Sequence, residues 1–387
     1  MGYALVLEAR RASGFAALLM LVACGAGHDL DALPRPDVPD VVDVVDAVAD
    51  AAEPQEVVEV VEPDEVSEDT MGPSDSTDGA GLDVGADSAD GASAPGFVLG
   101  RHYDLELGAP GMSDESDEST VVSGELIAVY DHSRWWKNPT DEVTLALFAA
   151  ERFADWPDDR SVLFVERSHI VRVTESPLVA PSFRAWCHSQ GIGFAVPLDG
   201  RAWVMAGHER HHLEENGFGD YAYDLGIAEA GGRRWSGDGL DLSDYFSWDV
   251  DALSPVGGFV VEVERDHPDM PVGQPPDLDA AENLVGLWLA GGYHAYVLHY
   301  RQGSLPMDLG VGDFVAAGAP LGRIGNSGTS REPHLHVALL YWDHERDRYW
   351  SLPVDFHDVH VAATPTGSEP RLRMAPLGGL WISNAPF

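Results

Sequence analysis

This chain of 387 residues has few cysteines and few basic residues, and both shortages limit the classes of protein to which it can belong. It contains 2 cysteines, Cys24 and Cys187, and 23 Lys plus Arg against 65 Asp plus Glu, so its formal net charge is -42. Two isolated cysteines exclude a disulfide-rich scaffold and a zinc ribbon made of Cys-x-x-Cys pairs. Excess negative charge repels phosphate, which excludes nucleic acid as a partner. Any folded part must therefore rest on apolar burial alone.

The first 24 residues have the pattern of an export signal. Arg10 and Arg11 precede an apolar run over residues 14–23, and Cys24 follows. About ten apolar residues are too few for a transmembrane helix, which needs about 20, but they suit a secretory signal. Residues 21–25, Leu-Val-Ala-Cys-Gly, resemble a bacterial lipobox, which implies that Cys24 becomes the lipidated N-terminus. The alternative is an ordinary signal peptide that happens to end near a cysteine.

The segment that follows the signal is acidic and poor in aromatic residues. Residues 25–100 contain 20 acidic residues and one basic residue, Arg35. An acid recurs at every third position over residues 37–46, a period that fits an extended chain better than a helix or a strand. High charge predicts a disordered linker over residues 25–96. A calcium site is not indicated, because calcium loops place oxygen ligands at fixed offsets around a glycine turn.

Residues 97–192 return to a globular composition but carry no legible function. Apolar runs predict strands at residues 124–130 and 161–165, and residues 140–156 between two prolines predict a helix. The region is therefore expected to be a small α+β accessory domain of unknown role.

Two features of this accessory region have a functional and a structural interpretation. Trp135 and Trp136 could stack on sugar rings, but adjacent tryptophans more often divide between a core and its edge. Cys187 has no partner cysteine apart from the lipidated one, and no recognisable Cys-His or Ser-His arrangement surrounds it. We expect a buried apolar thiol there.

A His-x-His pair marks the part of the chain that carries chemistry. His334 and His336 precede an apolar continuation over residues 337–341, and a Gly-Asn-Ser-Gly turn lies upstream at residues 325–328. Residues two apart project from the same face of a strand but diverge on a helix, so both imidazoles face one site if this segment is a strand. Such pairs also occur on inert exposed strands.

Further candidate ligands lie upstream of the His-x-His pair. Residues 219–226 predict a strand with Ala222 and Asp224 on one face and two tyrosines on the other, and it follows a cluster of His208, His211 and His212. A catalytic zinc keeps three nitrogen or oxygen ligands and one open position. One histidine of the cluster, Asp224 and His336 would supply that set. A strand at residues 296–300 brings His299 to the same sheet.

These residues resemble the lysostaphin-like, LytM-type zinc endopeptidases of peptidoglycan. The resemblance covers residues 193–342 and includes an opening strand at residues 194–197 and a strand at residues 254–263. Its strongest part is five short runs in the family's order: His299–Ser304, Val311–Val315, Gly318–Gly322, Gly325–Gly328 and Pro333–His336. The resemblance implies a mainly β fold, an antiparallel β-sheet groove of the lysostaphin/LytM-like type.

The resemblance also implies site roles, one position at a time. Asp224 and His336 match zinc ligands, while His299 and His334 match the two histidines that assist the attacking water. The remaining ligand departs from the familiar pattern, because position 220 is an aspartate and not a histidine. Members with a longer insertion point to His212, with His211 next and His208 third. One Zn²⁺ per domain is implied, and an acidic shell is expected to raise the pKa values of the assisting histidines.

The sequence thus predicts five segments and an exported enzyme. They are a lipoprotein signal over residues 1–24, the linker over 25–96, the accessory domain over 97–192, a zinc endopeptidase domain over 193–356 and a C-terminal extension over 357–387. The extension is expected to wrap the surface or add one strand. We expect a monomeric, membrane-anchored lipoprotein of the outer membrane, periplasm or cell surface, with peptidoglycan as its partner. The alternatives are a non-catalytic module that binds the wall or activates an amidase, and a purely structural lipoprotein.

Overall fold

The structure is a computed structural model that describes residues 97–108, 120–135, 139–151, 153, 160–177, 179–207, 217–273, 277 and 279–387. The predicted export signal with Cys24, the acidic linker, Trp136 and the three candidate ligands His208, His211 and His212 lie outside the described residues. Within the part that is described, no helix is both long and apolar enough to cross a membrane.

The first folded part is a five-stranded antiparallel sheet. Its strands are β1 (His102–Leu107), β2 (Thr120–Asp131), β3 (Val143–Phe148), β4 (Val162–Glu166) and β5 (Ile170–Ser176). They lie in the spatial order β4-β3-β2-β1-β5. Two single 3₁₀ turns and one short helix complete the part: His132–Arg134, Arg167–His169 and α1 (Phe183–Ser189).

Strands β2 and β4 of this sheet were predicted from the sequence. The prediction of a helix over residues 140–156 is wrong. Strand β3 occupies that segment and pairs with β2 on one side and β4 on the other. Successive side chains of β3 alternate between two apolar clusters: Leu145 and Leu147 pack in one, Ala146 and Phe148 in the other. Because both faces of the strand are buried, its apolar run lacks the alternation that distinguishes a strand from a helix.

The second part is an 11-stranded sheet with a small two-stranded sheet beside it. The strands of the large sheet are β6 (Arg201–Ala206), β7 (Tyr223–Gly226), β9 (Gly258–Glu264), β10 (Leu284–Ala290), β11 (Tyr293–Leu298), β12 (Phe314–Val315), β14 (Leu335–Asp343), β15 (Arg348–Leu352), β16 (Phe356–Ala362), β17 (Glu369–Met374) and β18 (Trp381–Ser383). The small sheet pairs β8 (Asp251–Leu253) with β13 (Pro320–Arg323), and one 3₁₀ turn lies at Leu242–Asp244. The predicted mainly β, antiparallel fold is confirmed.

The C-terminal residues take a larger share in this sheet than predicted. Strand β16 crosses the predicted boundary at residue 356, and β17 and β18 follow it, so the extension adds more than one strand. Strand β18 lies between β16 and β6, and β6 in turn pairs with β7. The end of the described chain is therefore part of the same sheet as Asp224.

Two predicted strands near the start of the second part are shorter than expected. Residues 194–197 form only an isolated bridge between Phe194 and Phe356. The strand predicted over residues 219–226 begins at Tyr223, because Gly217 with φ 83° and its neighbours form a turn just before it. The predicted alternation is confirmed, since Tyr221 and Tyr223 pack in the large core while Ala222 lies in a small cluster on the opposite face.

One apolar cluster extends across both parts of the fold. Tyr130 and Phe164 of the five-stranded sheet pack with Trp350 of β15, at ring-centroid distances of 4.6 and 5.1 Å. Hydroxyl groups add polar links: Tyr221 accepts from the Val129 N–H at 2.9 Å, and Tyr130 donates to the Ser351 carbonyl at 2.6 Å. The predicted division at residues 192 and 193 therefore runs through a shared core.

Trp135 and Cys187 are packed in the same cluster. Trp135 is 9% exposed and stacks on the His132 ring at 3.7 Å, which leaves it little surface for a sugar. Cys187 is a buried free thiol whose pKa is raised by burial, in agreement with the apolar role that the sequence predicts.

Candidate metal centre

Asp224 and His336 face each other across two neighbouring strands. Strands β7 and β14 are antiparallel, and their register pairs these two residues directly. Because the tyrosines of β7 point into the core, Asp224 points to the opposite face. Its Oδ1 lies 3.2 Å from Nδ1 of His336 and 3.3 Å from Nε2 of His334. Both imidazoles of the His-x-His pair thus meet one carboxylate oxygen, as the two-residue spacing predicts.

His299 completes the cluster from the end of a third strand. It follows Leu298, which pairs with His336, and its backbone has φ 70°, a left-handed conformation that is uncommon outside glycine. Its ring lies 4.7 Å from that of His334 and 5.8 Å from that of His336. The left-handed residue ends the alternation of β11. Surrounding hydrogen bonds such as that to Ser327 stabilise this unfavourable backbone conformation, and residues in such conformations are common at functional sites.

Backbone carbonyl groups fix the orientation of two of the imidazoles. Nδ1 of His299 lies 2.7 Å from the Ser327 carbonyl oxygen, and Nδ1 of His334 lies 2.7 Å from the Glu332 carbonyl oxygen. A carbonyl oxygen only accepts, so each Nδ1 carries the proton and donates it. Each Nε2 is then the basic nitrogen of the neutral ring. For His334 this is the nitrogen that faces Asp224.

The Gly-Asn-Ser-Gly turn forms the frame that holds His299. Ser327 donates through Oγ to the Tyr300 carbonyl at 2.9 Å, and its Oγ accepts from the Asn283 N–H at 2.9 Å. Asn283 also donates through Nδ2 to the Tyr300 carbonyl at 2.8 Å. At Gly325, an added Cβ would lie 2.3 Å from the backbone of Arg301, so only glycine fits there. The turn therefore sets the position of the carbonyl that orients His299.

Burial dominates the protonation of His299. The four clustered residues are each at most 8% exposed. Loss of solvation lowers the pKa of His299 well below its ordinary value of 6.5, and the neighbouring His334 and His336 lower it further, while Asp224 acts in the opposite direction. The expectation that the pKa of this histidine is raised is thus wrong, because burial outweighs the effect of Asp224. A buried imidazole surrounded by other imidazoles is held neutral, because charging it would require solvation that the site does not supply.

The donor set fits a zinc ion. Imidazole nitrogens of His299, His334 and His336 all lie within 4.8 Å of one another, and the Asp224 carboxylate adjoins two of them. Nitrogen and carboxylate oxygen are the ligands of catalytic zinc sites. Asp220, which stands where the familiar family pattern has a histidine, is directed elsewhere: it is 1% exposed and its Oδ2 accepts from the Gly217 N–H at 2.8 Å.

Sequence reasoning located the four clustered side chains but missed the groups that orient them. Asp224, His299, His334 and His336 come together, whereas the first-ligand candidates His208, His211 and His212 cannot be placed against them, because they lie outside the described residues. The carbonyls of Ser327 and Glu332 were not foreseen, since a backbone carbonyl has no residue signature. The signal that could have indicated Ser327 is the Gly-Asn-Ser-Gly run, which the sequence identifies as a turn and as one of the five family runs, but not as the source of a carbonyl that orients His299.

Comparisons with known proteins find likenesses of structure alone. No protein-family model matches the chain, and no curated protein matches it. Among solved structures, the chain is similar to a candidate glycyl-glycine endopeptidase LytM from Ruminococcus gnavus, with 16% identity, a TM-score of 0.28, and coverage of 43% of this chain and 60% of that one. It is also similar to a zinc-containing peptidase from Vibrio cholerae, with 14% identity, a TM-score of 0.25, and coverage of 60% and 54%.

A third solved structure is the catalytic domain of lysostaphin from Staphylococcus simulans. The identity is 17%, the TM-score is 0.22, and the match covers 43% of this chain and 92% of that domain. The chain spans 60% and 54% of the lengths of the first two proteins. The solved structures that the chain is similar to thus include the type of peptidase that the sequence motifs resemble. At these identities and TM-scores the likeness concerns the fold, and what the site can do follows from its own side chains.

Proposed function

We propose that this chain is a zinc-dependent endopeptidase that hydrolyses peptide cross-links of bacterial peptidoglycan. The observation that carries the proposal is the meeting of Asp224 with His299, His334 and His336 at one end of the large sheet, with two of the rings fixed by carbonyl groups. Asp224 and His336 would hold the ion with a histidine of the unplaced cluster, His212 being the first candidate. A bound zinc ion polarises a carbonyl group and increases the acidity of water.

The chain's own histidines would transfer the protons. Hydrolysis adds the hydroxyl of water to the scissile carbonyl carbon, breaks the C–N bond and gives a proton to the leaving amine. His299 presents a basic Nε2, because its Nδ1–H is engaged with Ser327, and burial keeps the ring neutral and able to accept a proton. His334 has the same tautomer and lies beside Asp224. One ring can thus take the proton of the attacking water and return it to the amine.

The test combines activity with metal content. Purified full chain is incubated with peptidoglycan, released products are identified by mass spectrometry, and bound zinc is measured. We expect chelation, Asp224→Ala and His336→Ala to abolish release of peptides, and the two variants to lose zinc. His344→Ala, a histidine exposed on the turn after β14, is the matched control and should retain both. Full activity in Asp224→Ala or His336→Ala would contradict the proposal.

A second candidate is a non-catalytic module on the same fold, which binds the wall or activates an amidase. It is favoured by Asp220, because the position that holds a histidine in the familiar family pattern is a buried aspartate bonded to Gly217. A folded chain that binds peptidoglycan, holds no zinc and releases no peptides would support this candidate over the endopeptidase.

We also propose that the protein is exported and anchored to a membrane. Export by the signal over residues 1–24 and lipidation of Cys24 would anchor a monomer to a membrane, at the outer membrane, periplasm or cell surface. The acidic linker over residues 25–96 would then act as a tether between the anchor and the peptidoglycan. Mass spectrometry of mature protein should show a lipidated Cys24, and Cys24→Ala should release the protein from the membrane fraction. An unmodified N-terminus at another residue would contradict the anchor.

A further inference from the structure

Arg234 lies between two tryptophan rings in the loop that follows β7. Its guanidinium carbon is 5.6 Å from the centre of the Trp203 ring and 5.5 Å from that of the Trp235 ring. Arginine packs well against aromatic faces because its planar group is weakly hydrated. The rings thereby limit the directions in which the guanidinium can point.

The guanidinium points to the residue that orients His334. Nε of Arg234 donates to Oε2 of Glu332 at 2.9 Å, and the backbone carbonyl of that same Glu332 accepts from Nδ1 of His334 at 2.7 Å. Ser330 Oγ donates to the same carbonyl at 3.1 Å. Arg234 thus binds the side chain of Glu332, and the backbone carbonyl of the same residue binds His334.

The residue that follows Glu332 strengthens this connection. Pro333 restricts the backbone of the residue before it to extended conformations, so Glu332 has few ways to rotate its carbonyl. The contact of its side chain with Arg234 further limits the movement of this residue. The side chains of Arg234 and Glu332 are 30% and 20% exposed, and ion pairs with such access to water contribute little to stability. Orientation of His334 is the larger consequence of the pair.

We propose that Arg234 is a positioning residue for His334, acting through Glu332, in the hydrolysis proposed above. Trp203 and Trp235 hold the guanidinium, the guanidinium holds the Glu332 carboxylate, and the Glu332 carbonyl keeps the proton of His334 on Nδ1. The inference rests on the proposed function for its catalytic consequence. The geometric link to the tautomer of His334 is independent of it.

The chain offers a matched control in the neighbouring residue. Arg233 also pairs with a glutamate, Glu229, and also lies over an aromatic ring, that of Phe246 at 5.7 Å. Its contacts do not lead to the histidine cluster. Arg234→Met and Arg233→Met therefore remove the same charge and the same kinds of contact, and differ in whether the link to His334 is broken.

The decisive measurement is the nitrogen NMR spectrum of histidine-labelled full chain, loaded with zinc. We expect the parent and Arg233→Met to show His334 with its proton on Nδ1 alone. Arg234→Met and Glu332→Ala should show a mixture of tautomers, and Arg234→Lys should restore part of the parent signal. An unchanged His334 signal in Arg234→Met, or the same change in Arg233→Met, would overturn the inference.

Kinetics on peptidoglycan fragments give the functional consequence. Arg234→Met should lower kcat about tenfold, a part of the 10²–10⁴-fold that general acid–base catalysis typically contributes, while KM and zinc content stay at parental values. Arg233→Met should keep the parental kcat. A fall in zinc content that accounts for the lost activity would instead assign Arg234 a structural role and overturn the inference. If the parent hydrolyses nothing, the proposed function fails, and the NMR result still decides the link to His334.

Discussion

The two folded regions, residues 97–192 and 193–356, differ in what they bury. In the first, the buried side chains are mainly apolar, and the buried thiol of Cys187 packs among them. In the second, an aspartate and three histidines are buried together at the end of strands. Burying several polar groups side by side is costly unless they bind something or one another. The contrast places the candidate metal centre in the second region, and the shared core leads us to expect that this region does not fold alone.

The comparison predicts that the two regions unfold as one. Phe164→Ala removes a ring that belongs to the first region and packs against Trp350 and Tyr341 of the second. Deleting a buried phenylalanine side chain costs about 3–5 kcal/mol of unfolding free energy. We expect one cooperative transition in denaturant, shifted equally for secondary structure and for tryptophan environment. Two separated transitions, with only one of them shifted, would show that the regions are independent.

Two histidines, one in each region, allow the two regions to be compared by the pH dependence of their stability. The pKa values of both His132 and His294 are lowered from 6.5 to about 4, mainly by burial, and Arg348 contributes to the lowering at His132. The unfolded chain therefore binds more protons below pH 6.5, so stability is present above that pH and is lost as pH falls toward 4. The loss for His294, at 1.36 kcal/mol per pKa unit, is about 3 kcal/mol at most.

The corresponding variants separate the two contributions. His294→Asn should flatten the dependence of unfolding free energy on pH between 6.5 and 4, measured against the parent by denaturant titration. His132→Asn should flatten it less, because His132 is only half-buried and water screens its charge. An equal slope in the parent and in His294→Asn would contradict the burial argument.

The smallest expected effect concerns the contact next to the metal centre. Tyr221, three residues before Asp224, accepts a hydrogen bond from the Val129 N–H of the first region. Tyr221→Phe should lower the unfolding free energy by about 1 kcal/mol, since such hydrogen bonds are worth about that much. It should also weaken zinc binding severalfold, because the strand of Asp224 begins two residues later. Calorimetry of zinc binding measures the second effect.

Tyr293 provides the control for that contact. Its hydroxyl also joins the two regions, to Ser161 Oγ at 3.0 Å, but at the start of β11, the opposite end from His299. Tyr293→Phe should cost similar stability and leave zinc affinity at the parental value. Equal loss of zinc affinity in both variants would mean that the first region affects the site only through overall stability.

Sequence reasoning predicted what depends on short-range pattern. The period of two along a strand placed Asp224 opposite the tyrosines and put His334 and His336 on one site, and the structure pairs Asp224 with His336 in register. It failed over residues 140–156, where burial on both faces hides the strand period. It also failed for the pKa of His299, because the degree of burial is set by distant segments.

The supporting contacts of the site depend on long-range packing. Arg234 and Glu332 are 98 residues apart in the chain, and nothing in either local sequence names the other. The link from Phe164 to Trp350 is of the same kind. Such pairs form only when distant segments pack together, so they can be identified only in the assembled fold.

The position of β18 has a consequence for how the protein is made. Residues Trp381–Ser383 insert between β16 and β6, two strands away from Asp224. During synthesis, β6, which separates β18 from the strand of Asp224, therefore lacks its outer partner until residues 381–383 have left the ribosome. The sheet that carries Asp224 is therefore completed long after that residue has been made, and a nascent chain that lacks β18 leaves one edge of β6 unpaired.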